Sequence, residues 1–100
     1  MVSIREFQNM MRQIYFHKDS QRGAHGTSEW LKEEVDELGE AVKKADRRAL
    51  EDELADVIAW LASLANVLSI DLEKATLRKY NNRCPKCNST PCKCAFTLKH

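Results

Sequence analysis

Two pairs of acidic residues stand out because each pair has the same internal spacing. The first pair is Glu34 and Glu37, and the second is Glu53 and Asp56. On an α-helix, residues three positions apart lie about one turn apart on the same side, so each pair can direct two carboxylates at a common point. The surrounding segments are also similar, since residues 31–42 read LKEEVDELGEAV and residues 50–61 read LEDELADVIAWL.

Four carboxylates brought close together repel one another and raise one another's pKa values, and a divalent cation removes that penalty. Ligands that are all oxygen favour Mg²⁺ or Mn²⁺ over Zn²⁺. A solvated helix face is the usual explanation of a single E-x-x-E pattern. Here two matched pairs share their flank with Trp30 and Trp60, which is unusual for a wet surface. The pattern therefore predicts a Mg²⁺ or Mn²⁺ site.

A second group of candidate ligands lies near the end of the chain. The pattern C-P-x-C-x₄-C-x-C comprises Cys84, Cys87, Cys92 and Cys94. Four thiols this close in sequence can surround one tetrahedral Zn²⁺, and they leave no open position for a water molecule. We therefore predict a structural zinc knuckle in a tail at residues 84–100. An iron–sulfur cluster, a redox dithiol pair and unligated thiols remain alternatives, and so does a nucleic-acid or protein partner for this tail.

A first helix is predicted to begin near Ser3, because Ser3 and Glu6 have the spacing of a capping box. Its apolar side chains recur at helical spacing, as Ile4, Phe7, Met11 and Ile14. The pattern fades at residues 17–28, HKDSQRGAHGTS, whose glycines and turn-forming residues predict an ordinary surface loop. The alternative is a loop that closes over a substrate and supplies Lys18 or Arg22 to its phosphates.

Three further helices are predicted, with caps at Thr27 or Ser28, at Asp46 and at Asp71. The second and third carry apolar stripes at Leu31, Val35, Leu38 and Val42, and at Leu50, Leu54, Val57, Leu61, Leu64 and Leu68. Since their connection is short, these two helices are expected to pack along their stripes as an antiparallel hairpin. The predicted fold is all-α, with a four-helix, bundle-like domain at residues 1–83.

Length and composition limit the possible classes of protein. A chain of 100 residues suits one domain. Its 16 Lys+Arg against 15 Asp+Glu argue against a general binder of nucleic acid or membrane surfaces. There is no run of about 18 apolar residues, and the N-terminal MVSIREFQNMMR lacks the apolar core of a secretory signal. We therefore expect a cytoplasmic protein, whose thiols stay reduced.

The acidic segments resemble a known signature. Glu33-Glu34-Val35-Asp36-Glu37, followed by Glu53-Leu54-Ala55-Asp56, is similar to the E-E-x-x-E … E-x-x-D motif of MazG-like nucleotide pyrophosphohydrolases. The resemblance covers roughly residues 3–83 and implies an all-α enzyme. It implies that Mg²⁺ is held by Glu34, Glu37, Glu53 and Asp56. It also implies that Glu33 orients or deprotonates a water that attacks the α-phosphorus of a nucleotide.

Substrate contacts are predicted from two further sets of residues. The stretch Lys79-Tyr80-Asn81-Asn82-Arg83 resembles a Lys/Asn/Arg-containing segment of the same family, so Lys79, Asn82 and Arg83 are candidates. For Lys79 the alternative is a cation favoured by the helix C-terminus. Trp30 and Trp60 are candidates for stacking on a nucleobase, although filling the core or a dimer interface is the more common role. His17, His25 and His100 have no partner at metal spacing.

The function predicted from these features is Mg²⁺-dependent hydrolysis of a (d)NTP to (d)NMP and pyrophosphate. One alternative is phosphoribosyl-ATP pyrophosphohydrolase on the same scaffold. Another is a non-catalytic, zinc-containing module that binds nucleic acid or protein. A di-iron bundle is disfavoured, because its E-x-x-H pairs are missing. Since the core of so short a chain is small, a homodimer or homotetramer is expected, as in the family.

Overall fold

The computed structural model describes residues 1–95 and 99 as an all-α protein. Its helices are α1 (Ile4–Lys44), α2 (Arg47–Val67) and α3 (Leu72–Lys79), and the described residues contain no strand. The predicted fold class is confirmed, whereas His100 lies outside the described residues. Within those residues, no single helix is long and apolar enough to cross a membrane. The helices α2 and α3, which meet at a bend of 102°, are long and apolar enough only when the two are taken together.

Three of the predicted helix starts are confirmed by their hydrogen bonds. Ser3 Oγ accepts from the Glu6 backbone N–H at 3.0 Å, and Glu6 Oε1 accepts from the Ser3 N–H at 3.3 Å, which completes a capping box. Asp46 caps α2 by accepting from two backbone N–H groups at 3.0 and 3.3 Å. Asp71 caps α3 by accepting from the Lys74 N–H at 3.1 Å. Each cap satisfies donors that the first helical turn leaves unpaired.

The predicted surface loop at residues 17–28 is wrong, because α1 continues through it. Only Gly23 leaves the helical conformation, with φ 80° and ψ 174°. Glycine adopts a positive φ at little cost, so the chain bends there without unwinding on either side. Thr27 is helical and fully buried, and its hydroxyl donates to the Gly23 carbonyl at 2.7 Å. Neither Thr27 nor Ser28 therefore caps a helix, because the break lies earlier, at Gly23. The described residues form three helices, the first of which consists of two helical segments joined by a kink at Gly23, and the four-helix arrangement is not confirmed.

The two apolar stripes are covered only in part in the single chain. Half of the stripe side chains are exposed, with Val35 at 49%, Val42 at 61% and Leu54 at 55%. The other half, such as Leu38 and Val57, are half-buried. The buried apolar residues are instead mostly small, and they are Met11, Ala41, Ala62 and Ala65. Small side chains let helices approach closely through another face. In this chain α1 and α2 meet through the flank that carries the acidic residues and the tryptophans.

A buried polar network fixes the start of α1 against the connection between α2 and α3. The Gln8 side-chain amide donates to Asn66 Oδ1 at 3.0 Å and to the Ile70 carbonyl at 2.7 Å. In return, Gln8 Oε1 accepts from the Leu72 N–H at 2.9 Å, and Asn66 Nδ2 donates to the Gln8 carbonyl at 3.1 Å. Buried polar groups that are paired in this way hold a specific arrangement without a desolvation penalty. The network thereby aligns α1 with α2.

Candidate functional site

The acidic residues of the two helices meet where α1 packs against α2. One carboxylate oxygen from each of Glu34, Glu37 and Glu53 can be chosen so that all three lie within 4.8 Å of one another. We call these three residues the acidic cluster. The chain reverses between the helices at Ala45, which is left-handed with φ 54°, and at the cap Asp46. This short reversal brings residues of α1 beside residues of α2 that follow much later in the sequence.

Asp56 lies at the edge of the acidic cluster. The charge of Asp56 helps to raise the pKa values of Glu34 on α1 and Glu53 on α2, so Asp56 lies close to both side chains. It follows Glu53 by three positions, so its side chain lies one turn further along α2. The structure thus brings three of the four residues that the sequence suggested as metal ligands into one group, with Asp56 close enough to act on them by its charge.

Burial and like charge make the acidic cluster unfavourable without a cation. Burial, followed by a hydrogen bond to Glu37 and the charges of its neighbours, raises the pKa of Glu34 to about 7. Burial and the charges of Glu37 and Asp56 also raise the pKa of Glu53. Among the described residues, Glu34 Oε2 and Glu53 Oε2 are buried and have no hydrogen-bond partner. Buried carboxylate oxygens without donors suit a hard divalent cation such as Mg²⁺ or Mn²⁺.

The two tryptophans lie at one end of the acidic cluster and touch each other. Their ring centroids are 5.9 Å apart with an interplanar angle of 20°, which is a stacked pair. Trp30 lies one helical turn before Glu34, and Trp60 lies one turn after Asp56. Trp30 is 49% exposed, so part of its surface remains open to a ligand or a second chain. The guanidinium of Arg22 lies 4.7 Å from the centroid of the Trp60 ring.

The remaining predicted site residues are not brought into the acidic cluster. Glu33 is exposed on α1 and is outside the group of converging oxygens. Lys79 ends α3, with its Nζ 5.6 Å from the ring centroid of Tyr80. Asn82 has φ 60°, and its carbonyl accepts from the Thr90 hydroxyl, while Arg83 is exposed. In the part of the chain that the structure describes, none of the four forms a hydrogen bond or ion pair with the cluster.

A polar cavity lies beside the acidic cluster, and the sequence indicated it only through the alternative role of Lys18 and Arg22 as phosphate contacts. It has a volume of about 280 Å³. The residues that line it come from α1 before the bend at Gly23 and from α2, and they are Tyr15, Lys18, Asp19, Arg22, Asp56, Ala59, Trp60 and Ser63. Asp19 and Arg22 have the i,i+3 spacing of a helical ion pair, which was the available sign that this segment is helical.

The four cysteine sulfurs also converge, within residues 84–94. All four Sγ atoms lie within 4.8 Å of one another. Cys84 Sγ is 3.9 Å from Cys94 Sγ, and Cys87 Sγ is 4.0 Å from Cys92 Sγ. These separations are far longer than a disulfide bond. They are close to the edge of about 3.8 Å that a tetrahedron with Zn–S bonds of about 2.3 Å requires.

Backbone hydrogen bonds favour the thiolate form of Cys84 and Cys87, whereas hydrogen bonds with Cys92, Cys87 and Cys84 raise the pKa of Cys94 to about 12. The Lys93 N–H donates to Cys87 Sγ at 3.2 Å, and the Cys94 N–H donates to Cys92 Sγ at 3.4 Å. The Lys93 donor is the main cause that lowers the pKa of Cys87 to about 6. Backbone donors, led by the N–H of Cys87, also lower the pKa of Cys84. A thiolate is the form that coordinates a metal ion, so this donor set fits Zn²⁺.

Comparison with known proteins supports the interpretation drawn from the geometry. A family model described as the MazG nucleotide pyrophosphohydrolase domain matches residues 22–88, which is more than half of the 100-residue chain. The matched range includes the acidic cluster, Asp56 and both tryptophans. It ends within the cysteine segment, after Cys87. The search of curated proteins gave no match.

Proposed function

Because the chain belongs to the MazG nucleotide pyrophosphohydrolase family, we propose that it hydrolyses a nucleoside or deoxynucleoside triphosphate to the monophosphate and pyrophosphate, with Mg²⁺ as cofactor. The observation that carries this proposal is the convergence of carboxylates from α1 and α2, whose oxygens lie within 4.8 Å of one another. Glu34 and Glu53 each also have a buried Oε2 without a hydrogen-bond partner. A triphosphate is strongly negative, so an acidic site can receive it only when cations reverse the local charge.

The proposed ligands of the Mg²⁺ are Glu34, Glu37, Glu53 and Asp56. The bound cation would neutralise the phosphates and lower the pKa of a coordinated water. The unpaired buried oxygens of Glu34 and Glu53 support this assignment. Both helices hold these side chains before any substrate arrives, which is the positioning that phosphoryl transfer mainly needs.

The other catalytic and substrate roles come from the family resemblance. We assign Glu33 to orienting or deprotonating the attacking water, since it is an exposed carboxylate next to Glu34. Lys79, Asn82 and Arg83 are assigned to substrate contacts, and all three are solvent-accessible. The half-exposed ring of Trp30, backed by Trp60, is available for stacking on a nucleobase.

We also propose that the protein assembles as a homodimer or homotetramer. Exposed apolar side chains on α1 and α2, among them Val35, Leu54 and Ile58, would be covered by a second copy. A surface hollow of about 560 Å³ next to Glu37 is lined by α1 residues alone. A second chain packed against that helix would enclose the hollow on its open side.

The tail at residues 84–100 is proposed as a zinc knuckle with a structural role. The proposed ligands are Cys84, Cys87, Cys92 and Cys94, whose sulfur separations suit a tetrahedral ion. Because all four positions are taken by protein sulfur, the ion would have no place for a reacting water. Metal analysis that finds no zinc in purified protein would refute this assignment.

A pyrophosphate-release screen tests the proposed activity. It uses NTPs, dNTPs and phosphoribosyl-ATP, each with Mg²⁺, with Mn²⁺ and with EDTA, and the Glu53→Gln variant as the inactive control. We expect metal-dependent release from at least one (d)NTP. Release from phosphoribosyl-ATP alone would favour the second pyrophosphohydrolase activity. No release from any nucleotide would favour a non-catalytic binding module.

A further inference from the structure

The polar cavity beside the acidic cluster has the properties of an anion site. It shares Asp56 with the proposed metal site, so a ligand in the cavity would adjoin a metal-bound phosphate. Its lining includes the cations Lys18 and Arg22 and the hydroxyl of Tyr15. The lining also includes the carboxylates of Asp19 and Asp56, so its two positive and two negative side chains balance. Once a divalent cation compensates Asp56, the two cations outnumber the remaining carboxylate of Asp19, which is itself paired with Arg22.

Arg22 is held in one position by contacts on several sides. Its Nη1 donates to Asp19 Oδ1 at 2.8 Å and to Thr27 Oγ1 at 3.3 Å. Asp19 and Thr27 are themselves buried, at 2% and 0% exposure, so this end of the guanidinium is anchored in the interior. Gly26 makes room for the aliphatic part, since a Cβ there would lie 2.8 Å from Arg22 Cγ. The face of the guanidinium rests on Trp60.

The anchored guanidinium still has donors to offer. Both of its hydrogen bonds use Nη1, so within the described chain Nε and Nη2 have no acceptor. Lys18 Nζ and the Tyr15 hydroxyl likewise have no hydrogen bond there. A guanidinium with two free nitrogens can bind two oxygens of a phosphate at once. A cavity with so many unused donors suits a phosphate better than a nucleobase.

We propose that Arg22 is a substrate-binding residue that contacts the pyrophosphate end of the triphosphate inside this cavity. The proposal deepens the proposed function and rests on it for the identity of the substrate. Asp19 acts as a positioning residue, because it fixes the guanidinium through Nη1 and leaves the other nitrogens for the ligand. Trp30, which stacks on Trp60 and is half-exposed, remains available to contact the nucleoside.

Binding measurements test this assignment without relying on turnover. Isothermal titration calorimetry with Mg²⁺ gives the Kd of inorganic pyrophosphate and of a nucleoside monophosphate for the full-length protein. We expect Arg22→Gln to weaken pyrophosphate binding about 10- to 100-fold, the range for losing charge-assisted hydrogen bonds. Monophosphate binding should stay within about threefold. Arg22→Lys should recover part of the loss, because lysine keeps the positive charge but cannot bind two phosphate oxygens at once as a guanidinium does.

Arg12→Gln is the matched control, since Arg12 is an exposed arginine of α1 whose guanidinium lies over Phe16 at 3.9 Å, away from the cavity. It should leave both Kd values unchanged. Equal weakening of both ligands by Arg22→Gln would reveal a purely structural role and overturn the proposal. So would unchanged pyrophosphate binding, or its absence in the wild type. Failure of the proposed function is a separate result, namely pyrophosphate binding without pyrophosphate release from any nucleotide.

Discussion

The acidic cluster and the cysteine segment are two groups of candidate metal ligands that are built in opposite ways. The carboxylates of Glu34, Glu37 and Glu53 come from two helices and meet only because α1 and α2 pack together. The four cysteines lie within residues 84–94, so a short stretch of chain brings their sulfurs together. The acidic cluster therefore forms only when α1 and α2 are packed together. The cysteine segment depends instead on local chain geometry and on the ion that it binds.

The difference extends to the cation and to its consequences. Oxygen ligands with room for water suit a hard ion that can exchange ligands during a reaction. Four thiolates around one ion leave no open position and suit a structural role. Removing a carboxylate should thus abolish chemistry while sparing the fold. Removing a cysteine should unfold the tail while sparing the helices.

The largest effect is expected for Glu53→Gln. This variant keeps the size of the side chain but removes one charged metal ligand, and kcat for pyrophosphate release should fall by about 100-fold or more. Glu51→Gln is the control, because Glu51 is exposed on the same helix and only faces Arg47, with Arg47 Nε 3.7 Å from Glu51 Oε1. An equal loss of kcat in both variants would contradict the assignment of Glu53, and not Glu51, as a metal ligand.

An intermediate effect is expected for Cys87→Ser. We predict that bound zinc, measured by atomic absorption, drops from about one equivalent to about none. The far-UV circular dichroism should be nearly unchanged, since α1, α2 and α3 are held by their own packing and by the Gln8–Asn66 network. A large loss of helix in this variant would show that the tail supports the helical domain, and the two regions would no longer be separable.

Both regions could be predicted from the sequence because their signals are local. The caps at Ser3, Asp46 and Asp71 depend on residues within three positions of each other. The cysteine spacing is likewise local, and the repeated acidic spacing defines two helix faces. Pairing those faces needed only the short connection between the helices.

The errors have both local and long-range causes. Residues 17–28 look like a loop because they contain glycines, but of these residues only Gly23 leaves the helical conformation, and the Asp19–Arg22 pair has ordinary helical spacing. Buried polar contacts such as Gln8 with Asn66 join residues far apart in the chain. The apolar stripes were expected to face the helix partner, but half of their side chains are exposed in the single chain. A stripe cannot reveal whether its partner is another helix or another copy.

The smallest effect concerns stability as a function of pH. The folded-state pKa of Glu34 is raised from 4.5 to about 7. Glu34 is therefore protonated more readily in the folded state than in the unfolded state. Its favourable contribution is present below pH 4.5 and is lost as the pH rises towards about 7. Without metal, the protein should become modestly easier to unfold over this range.

Urea unfolding in EDTA, at about pH 5 and about pH 8, measures this trend. Glu34→Gln should flatten it, because the amide does not titrate. Mg²⁺ should also flatten or reverse it, because the cation stabilises the ionised form. A wild-type protein in EDTA that gains stability across the same range would contradict the assigned origin of the raised pKa.

Binding of Mn²⁺, followed by electron paramagnetic resonance of the free ion, tests the central claim most directly. The claim is that carboxylates from two helices hold one shared cation site. Wild-type protein should bind Mn²⁺, and either Glu34→Gln or Glu53→Gln should weaken that binding, because each removes a ligand from a different helix. Glu51→Gln should bind as the wild type does. Undiminished Mn²⁺ affinity in both cluster variants would contradict the claim.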